Sequence, residues 1–181
     1  MFKAVLIGDS FVGKTSVRRR YLGKGFIASH IATIGVDFAS KTVKIDDKPV
    51  VMVIWDLAGQ EGFKGLRRRY YEGAGALILV YDITDRDSFN NASAWVKESF
   101  KHLVGRPTTL VLGNKIDLRT SEKDENFVST EEGAEFAIDL AKRMNISTLF
   151  YETSAKNGEN IHEAFTELAR FMIAESSNEA S

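Results

Sequence analysis

The sequence contains no cysteine among its 181 residues. Disulfides, thiolate metal ligands and every lipid attachment through a thiol are therefore excluded for this chain. The second residue is Phe2 rather than the glycine that N-myristoylation requires. No apolar run approaches the ~20 residues of a membrane-spanning helix, and Met1 leads directly into strand-like sequence without a signal-like segment. These absences predict a soluble, intracellular chain.

Net charge is also nearly absent, because 24 Lys and Arg residues stand against 25 Asp and Glu residues. This balance gives no overall attraction to nucleic acid, and we expect no nucleic-acid partner. Two arginine clusters, Arg18 to Arg20 and Arg67 to Arg69, are local exceptions. They have two interpretations: solvated helix faces, or a surface for an acidic partner or an anionic membrane.

The pattern of apolar residues predicts an α/β fold. Four apolar runs lack the polar alternation of half-exposed strands, which is typical of strands covered on both faces. They are Phe2–Ile7, Ala76–Tyr81, Thr108–Gly113 and Thr148–Tyr151. Segments with helical spacing lie between or after them, most clearly at Ile161, Ala164, Phe165, Leu168 and Met172.

Alternating strands and helices predict a doubly wound sheet with right-handed connections. Between Val36 and Leu57, two strand-like runs flank "DDKP", which is too short for a crossover helix and predicts an antiparallel hairpin. We therefore expect a six-stranded, mostly parallel sheet with one antiparallel strand and helices on both faces. The domain is placed at residues 1–175, followed by a short polar tail at 176–181.

A phosphate-binding loop is predicted by "GDSFVGKTS". Gly8, Gly13, Lys14 and Thr15 fulfil G-x-x-x-x-G-K-[ST] after a strand and before a helix, where backbone N–H groups and the helix N-terminus favour phosphates. Lys14 adds a positive charge, and Thr15 offers a hydroxyl to Mg²⁺. The loop residues predicted to contact nucleotide are Ser10, Phe11, Val12, Gly13, Lys14, Thr15 and Ser16.

The bulky Phe11 occupies a variable position of this pattern, where the backbone is needed and the side chain is free to point outward. Two interpretations stay open. Phe11 is a tolerated exposed side chain, or its ring hinders the entry of an activating partner's arginine.

A metal and catalytic segment is predicted by "DLAGQE". Asp56 ends an apolar strand on the same side of the sheet as the phosphate loop, a position from which it would orient the waters of Mg²⁺. Gly59 would let its N–H turn toward a terminal phosphate. Gln60 would orient an attacking water, because its amide both donates and accepts.

Two further motifs follow strands and predict a guanine pocket. In "NKID", Asp117 would accept from the two donors of guanine that adenine lacks at that edge, and the stem of Lys115 would cover the ring. In "TSAK", the N–H of Ala155 would reach the guanine O6. The base-contacting residues predicted here are Asn114, Lys115, Asp117, Ser154, Ala155 and Lys156.

Together these motifs resemble the small GTPases of the Ras superfamily, and most closely the Rab family, from Phe2 to about Met172. The Rab-like segments are "TIGVDF", "IWDLAGQE", "YYEGA" and "LVYDIT". The resemblance implies the P-loop NTPase fold and a monomer. It also implies that Thr33 binds Mg²⁺ and the γ-phosphate in the GTP state, and that Phe26 stacks on the base edge.

The resemblance further implies switch regions at 26–38 and 56–73, with Phe38, Trp55 and Tyr70 as the aromatic triad read by effectors. An exchange factor and a GTPase-activating protein would also act at the switches. Rab proteins continue into a tail with prenylated cysteines, whereas this chain ends in "ESSNEAS". Either a longer tail has been removed, or the protein works without a lipid anchor. We expect a cytoplasmic protein that would reach a membrane through a partner.

The predicted function is a switch that binds GTP with Mg²⁺ and hydrolyses it to GDP and phosphate. Gln60, Lys14 and Thr33 are the predicted catalytic residues, and Thr15, Thr33 and Asp56 the predicted metal site. One alternative is a guanine-nucleotide-binding scaffold with negligible hydrolysis. Another is a P-loop ATPase or nucleoside kinase, against which "NKID" and "TSAK" argue.

Overall fold

The structure, a computed structural model, describes residues 1–25, 36–57, 69–119 and 127–179. The strands are β1 (Phe2–Ile7), β2 (Val36–Ile45), β3 (Lys48–Leu57), β4 (Ala76–Asp82), β5 (Thr108–Asn114) and β6 (Thr148–Thr153). The α-helices in these ranges are α1 (Lys14–Tyr21), α2 (Arg86–Asn90), α3 (Ala92–Phe100), α4 (Thr130–Met144) and α5 (Ile161–Glu179). A 3₁₀-helix covers Ile116–Leu118.

The six strands form one sheet in the order β2-β3-β1-β4-β5-β6. Neighbouring strands are parallel except for β2, which pairs with β3 in antiparallel register. The predicted mixed sheet is therefore confirmed. Because β1 lies at its centre and its neighbours β3 and β4 run parallel to it, the loops that follow these strands meet at one edge.

Both faces of the sheet are covered, as the unbroken apolar strands predicted. Along β1, Ala4 and Leu6 belong to one core cluster, while Val5 and Ile7 belong to the other. Successive side chains of a strand point to opposite faces, so each cluster lies on its own side. The first cluster includes residues of α1 and α5, and the second includes residues of α3 and α4.

The hairpin between β2 and β3 closes with a two-residue turn. Asp46 and Asp47 have φ of 47° and 65°, and Ile45 pairs with Lys48 on either side of them. Two consecutive left-handed residues are typical of the type I′ turn, whose twist matches that of the strands. The turn is therefore shorter than the predicted "DDKP", because Lys48 and Pro49 already belong to β3.

Helix α4 begins with a complete N-terminal cap. The Ser129 side chain accepts from the Glu132 N–H, and the Glu132 side chain accepts from the Ser129 N–H, which completes a capping box. Helix α5 continues to Glu179 and so includes the first four residues of the segment expected to be a polar tail. In the described residues, no helix has the length and hydropathy needed to cross a membrane.

Candidate functional site

The glycines of the phosphate-binding loop stand where a side chain does not fit. Gly8 has a φ of +133°, and a Cβ there would lie 2.1 Å from the Val80 carbonyl oxygen. Gly13, the residue before α1, has a φ of +102°, and its Cβ would lie 2.4 Å from Asn114 Nδ2. Only glycine adopts such conformations freely and permits such close approach. The loop therefore lies directly against the ends of β4 and β5.

Phe11 also lies in the left-handed region, with a φ of 65°. Its side chain is 61% exposed, so the ring is on the surface of the loop. For a residue with a Cβ this conformation costs roughly 1–2 kcal/mol. The loop therefore contains a strained aromatic residue at a position where the sequence pattern alone gave no sign of strain.

Lys14 and Thr15 are the first residues of α1. Lys14 is buried, and its Nζ donates to the carbonyl oxygens of Gly8 (2.9 Å) and Asp9 (2.5 Å). Thr15 Oγ1 donates to Asp56 Oδ2 at 2.5 Å. The ammonium is thus held at the N-terminus of a helix, where N–H groups and the helix dipole already favour an anion.

Asp56 fits the predicted role at a metal site. Its side chain is wholly buried, and Oδ1 has no hydrogen-bond partner among the described residues. Burial raises the pKa of Asp56, while the hydrogen bond from Thr15 and the charges of Arg18 and Lys14 oppose that rise. A buried carboxylate oxygen beside a threonine hydroxyl is an oxygen donor set of the kind that Mg²⁺ binds.

These protein oxygens are too few to enclose a cation. In the described ranges, no group of three or more His, Cys, Asp or Glu side chains could hold a metal ion. Mg²⁺ is typically bound by one or two protein oxygens together with waters and substrate phosphates. Thr15 and Asp56 match that pattern, so the residues present fit the ion when a nucleotide supplies the remaining ligands.

Asn114 joins the phosphate side of the site to the base side. Its Nδ2 donates to the carbonyl oxygen of Val12 at 2.9 Å. Its Oδ1 accepts from the Ala155 N–H at 3.1 Å and from Thr153 Oγ1 at 3.4 Å. Asn114 is 1% exposed, so these bonds are shielded from water. This buried amide therefore connects the phosphate-binding loop to the end of β6 and the loop that follows it.

The other residues predicted to contact the base lie close to one another. Asp117 accepts from Ser154 Oγ at 2.5 Å, and its carboxylate lies 3.7 Å from Lys156 Nζ. Lys115 has a left-handed backbone with a φ of 73°, and its Nζ pairs with Asp82 at 2.5 Å. The ion pair fixes the position of the Lys115 ammonium group, so the aliphatic part of the side chain is also fixed and forms an apolar surface.

Within the first arginine cluster Arg18 is buried, and for this residue both interpretations made from the sequence are wrong, whereas Arg19 and Arg20 are half-buried. Arg18 is 5% exposed and donates through Nη2 to Asp37 on β2. Arg20 donates from Nε to the carbonyl oxygen of Ala155 at 2.9 Å and from Nη2 to that of Lys156. Arg18 contacts strand β2 and Arg20 contacts the loop after β6, so these two side chains bind groups of the protein and do not form one exposed cluster.

Asp9 is a site residue that sequence reasoning missed. Its carboxylate accepts from Asn91 Nδ2 at 2.8 Å and from Trp95 Nε1 at 2.5 Å. These bonds hold the phosphate-binding loop against the start of α3. No spacing in a single sequence predicts a contact between residues 86 positions apart, so only the fold could reveal it.

The three aromatic residues predicted to face effectors form one row, with Phe38 on β2, Trp55 on β3 and Tyr70 in the segment before β4. Phe38 stacks on Trp55 with ring centroids 5.1 Å apart, and Trp55 contacts Tyr70 at 5.7 Å. Phe38 is 61% exposed, and the other two rings are half-buried. Lys3 Nζ lies 4.2 Å from the centre of the Trp55 ring, a cation–π contact. The row is partly open to solvent.

Several predicted site residues lie outside the described residues. They are Phe26, Thr33, Gly59 and Gln60, together with Arg67 and Arg68 of the second arginine cluster. The predictions made for them stay predictions.

Four features meet at one edge of a doubly wound sheet: the phosphate-binding loop, the buried Asp56, and the base-side motifs "NKID" and "TSAK". This combination defines a P-loop nucleotide-binding protein. Residues 3–174 match the family model described as Ras family, so the chain belongs to the Ras family. It is a small GTPase, a GTP-binding switch that hydrolyses GTP.

Curated relatives place the chain near the Rab proteins. It is 41% identical over 181 residues to Ras-related protein Rab-13 of Canis lupus familiaris, covering 100% of this chain and 84% of that protein. It is 42% identical over 170 residues to Ras-related protein Rab-8B of Homo sapiens and of Pongo abelii, covering 94% of this chain and 77% of each relative. The Rab-like character expected from the sequence is confirmed.

Proposed function

We propose that this GTPase signals its nucleotide state to effectors through the segments 26–38 and 56–73, which would contact the γ-phosphate of GTP and lose that contact when GDP is bound. The observation that supports nucleotide binding most directly is the buried amide of Asn114, which joins the phosphate-binding loop to "NKID" and "TSAK". A nucleotide bound across these loops would place its phosphates and its base against two loops that Asn114 holds together. Guanine is selected by Asp117 and by the N–H of Ala155.

The protein's contribution to hydrolysis is positioning and charge stabilisation. Lys14 and the N–H groups of the phosphate loop hold the β- and γ-phosphates, and Gln60 places the attacking water. Thr15, Thr33 and Asp56 would hold Mg²⁺ directly or through its waters, and the ion neutralises charge on the phosphates. No arginine of the chain is assigned to the transition state, so intrinsic turnover is slow and a partner's arginine would accelerate it roughly 10³–10⁵-fold.

Nucleotide extraction followed by timed hydrolysis tests the proposal. Purified protein should release guanine nucleotide, and GTP should compete for the site far better than ATP. In single turnover, Gln60→Ala should lose most phosphate release while retaining bound GTP. Lys14→Ala should lose GTP binding itself, because it removes a charge at the phosphates.

The alternative of a scaffold without useful hydrolysis gives a different result. The wild-type protein would then retain GTP with no phosphate release, and Gln60→Ala would be indistinguishable from it. A nucleoside kinase or ATPase would show ATP competing as well as GTP.

The row of Phe38, Trp55 and Tyr70 is proposed as the surface that effectors read. Partly exposed, stacked aromatic rings supply large contact area to a partner. Phe38→Ala should weaken binding of a GTP-dependent partner at least tenfold. Phe171→Ala, which truncates a 38% exposed ring on α5, is the matched control and should leave that binding unchanged.

A further inference from the structure

Arg18 lies on α1 beyond the phosphate-binding loop and is not among the residues predicted to contact the nucleotide. It projects from α1 and is 5% exposed, yet its guanidinium lies beside two carboxylates. Nη2 donates to Asp37 on β2, and Nε lies 3.9 Å from Asp56 Oδ2 on β3. The cation therefore stands between an outer strand and the carboxylate of the metal site.

The strand register explains why a cation is stabilised there. Asp37 and Asp56 are direct partners in the antiparallel pairing of β2 with β3. Side chains of directly opposed residues share one face of a sheet, and like charges in that arrangement repel. Arg18 offsets this repulsion, and its hydrogen bond lowers the pKa of the Asp37 carboxyl.

The contacts of Arg18 are incomplete on the side of Asp56. Arg18 Nε and Nη1 are buried without a hydrogen-bond partner among the described residues, and so is Asp56 Oδ1. Buried guanidinium donors normally have hydrogen-bond partners, so these two nitrogens are exceptions. Arg18 donates to Asp37 and only approaches Asp56, so the two carboxylates share a single cation. Asp56 also accepts a hydrogen bond from Thr15. Its carboxylate therefore interacts with the Thr15 hydroxyl and the Arg18 cation, and would also interact with a bound metal ion.

We propose that Arg18 is a positioning residue of the Mg²⁺ site, shared between Asp37 and Asp56, and that its charge competes with Mg²⁺ for Asp56. The proposal rests on the proposed function, since it assumes that nucleotide and Mg²⁺ bind at this edge of the sheet. A cation about 4 Å from the carboxylate lowers the attraction of that carboxylate for a second cation. Asp37 moderates the effect, because its negative charge holds part of the guanidinium away from Asp56.

The test measures Mg²⁺ binding through nucleotide release. Release of a fluorescent GDP analogue is followed over a range of free Mg²⁺, and the concentration that gives half-maximal retention is compared among variants. Arg18→Leu should lower this concentration roughly tenfold, because the competing charge is gone. Asp37→Asn should raise this Mg²⁺ concentration several-fold, because Arg18 then acts on Asp56 alone. The effect of Asp37→Asn should be much smaller when Arg18 is already replaced by Leu.

A second readout is thermal unfolding with and without Mg²⁺. Without Mg²⁺, Arg18→Leu leaves the opposed carboxylates uncompensated, so its melting temperature should fall and then rise further with added Mg²⁺ than that of the wild type. Arg19→Leu is the matched control: it removes the same charge from the same helix, and in the described part of the chain Arg19 pairs with neither carboxylate.

Each outcome decides the matter. If Arg18→Leu shifts the Mg²⁺ midpoint no more than Arg19→Leu does, or weakens Mg²⁺ binding, the proposal that Arg18 competes with Mg²⁺ for Asp56 is overturned. Should Arg18→Leu fail to fold, Asp37→Asn alone decides, and an unchanged midpoint overturns the proposal. A wild-type protein whose GDP retention ignores Mg²⁺ would refute the proposed metal site itself, and the inference with it.

Discussion

The side chain of Asn114 donates to the carbonyl oxygen of Val12 at 2.9 Å, linking residues 102 positions apart. The same amide accepts from the Ala155 N–H at 3.1 Å. The phosphate loop and the base-side loop after β6 are therefore held by one buried residue. Because its hydrogen bonds to both loops are buried, Asn114 stabilises the site as well as lining it.

Replacing Asn114 should destabilise the whole protein. Asn114→Ala leaves the Val12 carbonyl and the Ala155 N–H without their buried partner, so we expect the free energy of unfolding to fall by about 3 kcal/mol. Urea denaturation of the nucleotide-free protein measures this loss. Asn90→Ala, at an exposed position in α2, is the control and should change stability by less than about 0.5 kcal/mol. An equal decrease in the free energy of unfolding in both variants would contradict the stabilising role assigned to Asn114.

Phe11→Gly should relieve backbone strain in the phosphate loop. Glycine adopts a φ of 65° without a Cβ penalty, although it adds entropy to the unfolded chain. We expect a net gain of up to about 1 kcal/mol in the free energy of unfolding. If the ring also hinders a partner's arginine, partner-stimulated turnover should rise while GTP affinity stays unchanged.

Phe11→Ala separates the two effects, because it removes the ring but keeps the strained Cβ. Higher turnover in both variants, with added stability only in Phe11→Gly, would support both explanations. Stimulated turnover that stays at the wild-type value in both would leave Phe11 as a tolerated exposed side chain.

The sheet and the loops around the nucleotide were predictable because their signals are local. Strand burial appears as unbroken apolar runs, and the Gly8 and Gly13 spacing of the phosphate loop reflects backbone conformations that few residues adopt. The guanine motifs follow strands whose ends meet at one sheet edge, so their proximity also followed from the order of elements.

The contacts that support this site were not predictable, because they join distant segments through single side chains. Three consecutive arginines suggest an exposed cluster. Nothing in their spacing shows that Arg18 would form an ion pair with Asp37, a residue of the β2–β3 hairpin. Asp9 likewise resembles any polar loop residue until α3 brings Trp95 to it. Helical periodicity reports which face is apolar, but it does not report which charge will find a partner there.

Acid should weaken the start of α4 through Glu132. Hydrogen bonds from Arg86 (2.7 Å) and from the Ser129 N–H (2.9 Å) hold the pKa of Glu132 below its ordinary range. A carboxyl whose pKa is depressed by folding adds stability above its unfolded pKa of about 4.3, and that stability is lost as pH falls through the folded value. The urea midpoint should therefore drop between about pH 5 and pH 3, and less steeply in Glu132→Gln.

Glu131→Gln is the matched control for this pH dependence. It removes the same charge from the same first turn of α4, but not the bonds to Arg86 and Ser129. Its urea midpoint should follow the wild-type pH profile. Parallel profiles for wild type and Glu132→Gln would show that the pair with Arg86 does not contribute.

Arg20 should control how long the base stays bound. Its side chain donates to the carbonyl oxygens of Ala155, at 2.9 Å, and of Lys156, so Arg20→Leu frees the loop expected to contact guanine. We expect release of a fluorescent GDP analogue to be about tenfold faster, equivalent to roughly 1.4 kcal/mol, with the hydrolysis rate of bound GTP nearly unchanged because other residues hold the phosphates. Arg106→Leu, which removes a similar bond to the Asn145 carbonyl far from the site, is the control. Equal release rates in the two variants, or a parallel loss of hydrolysis in Arg20→Leu, would contradict this assignment.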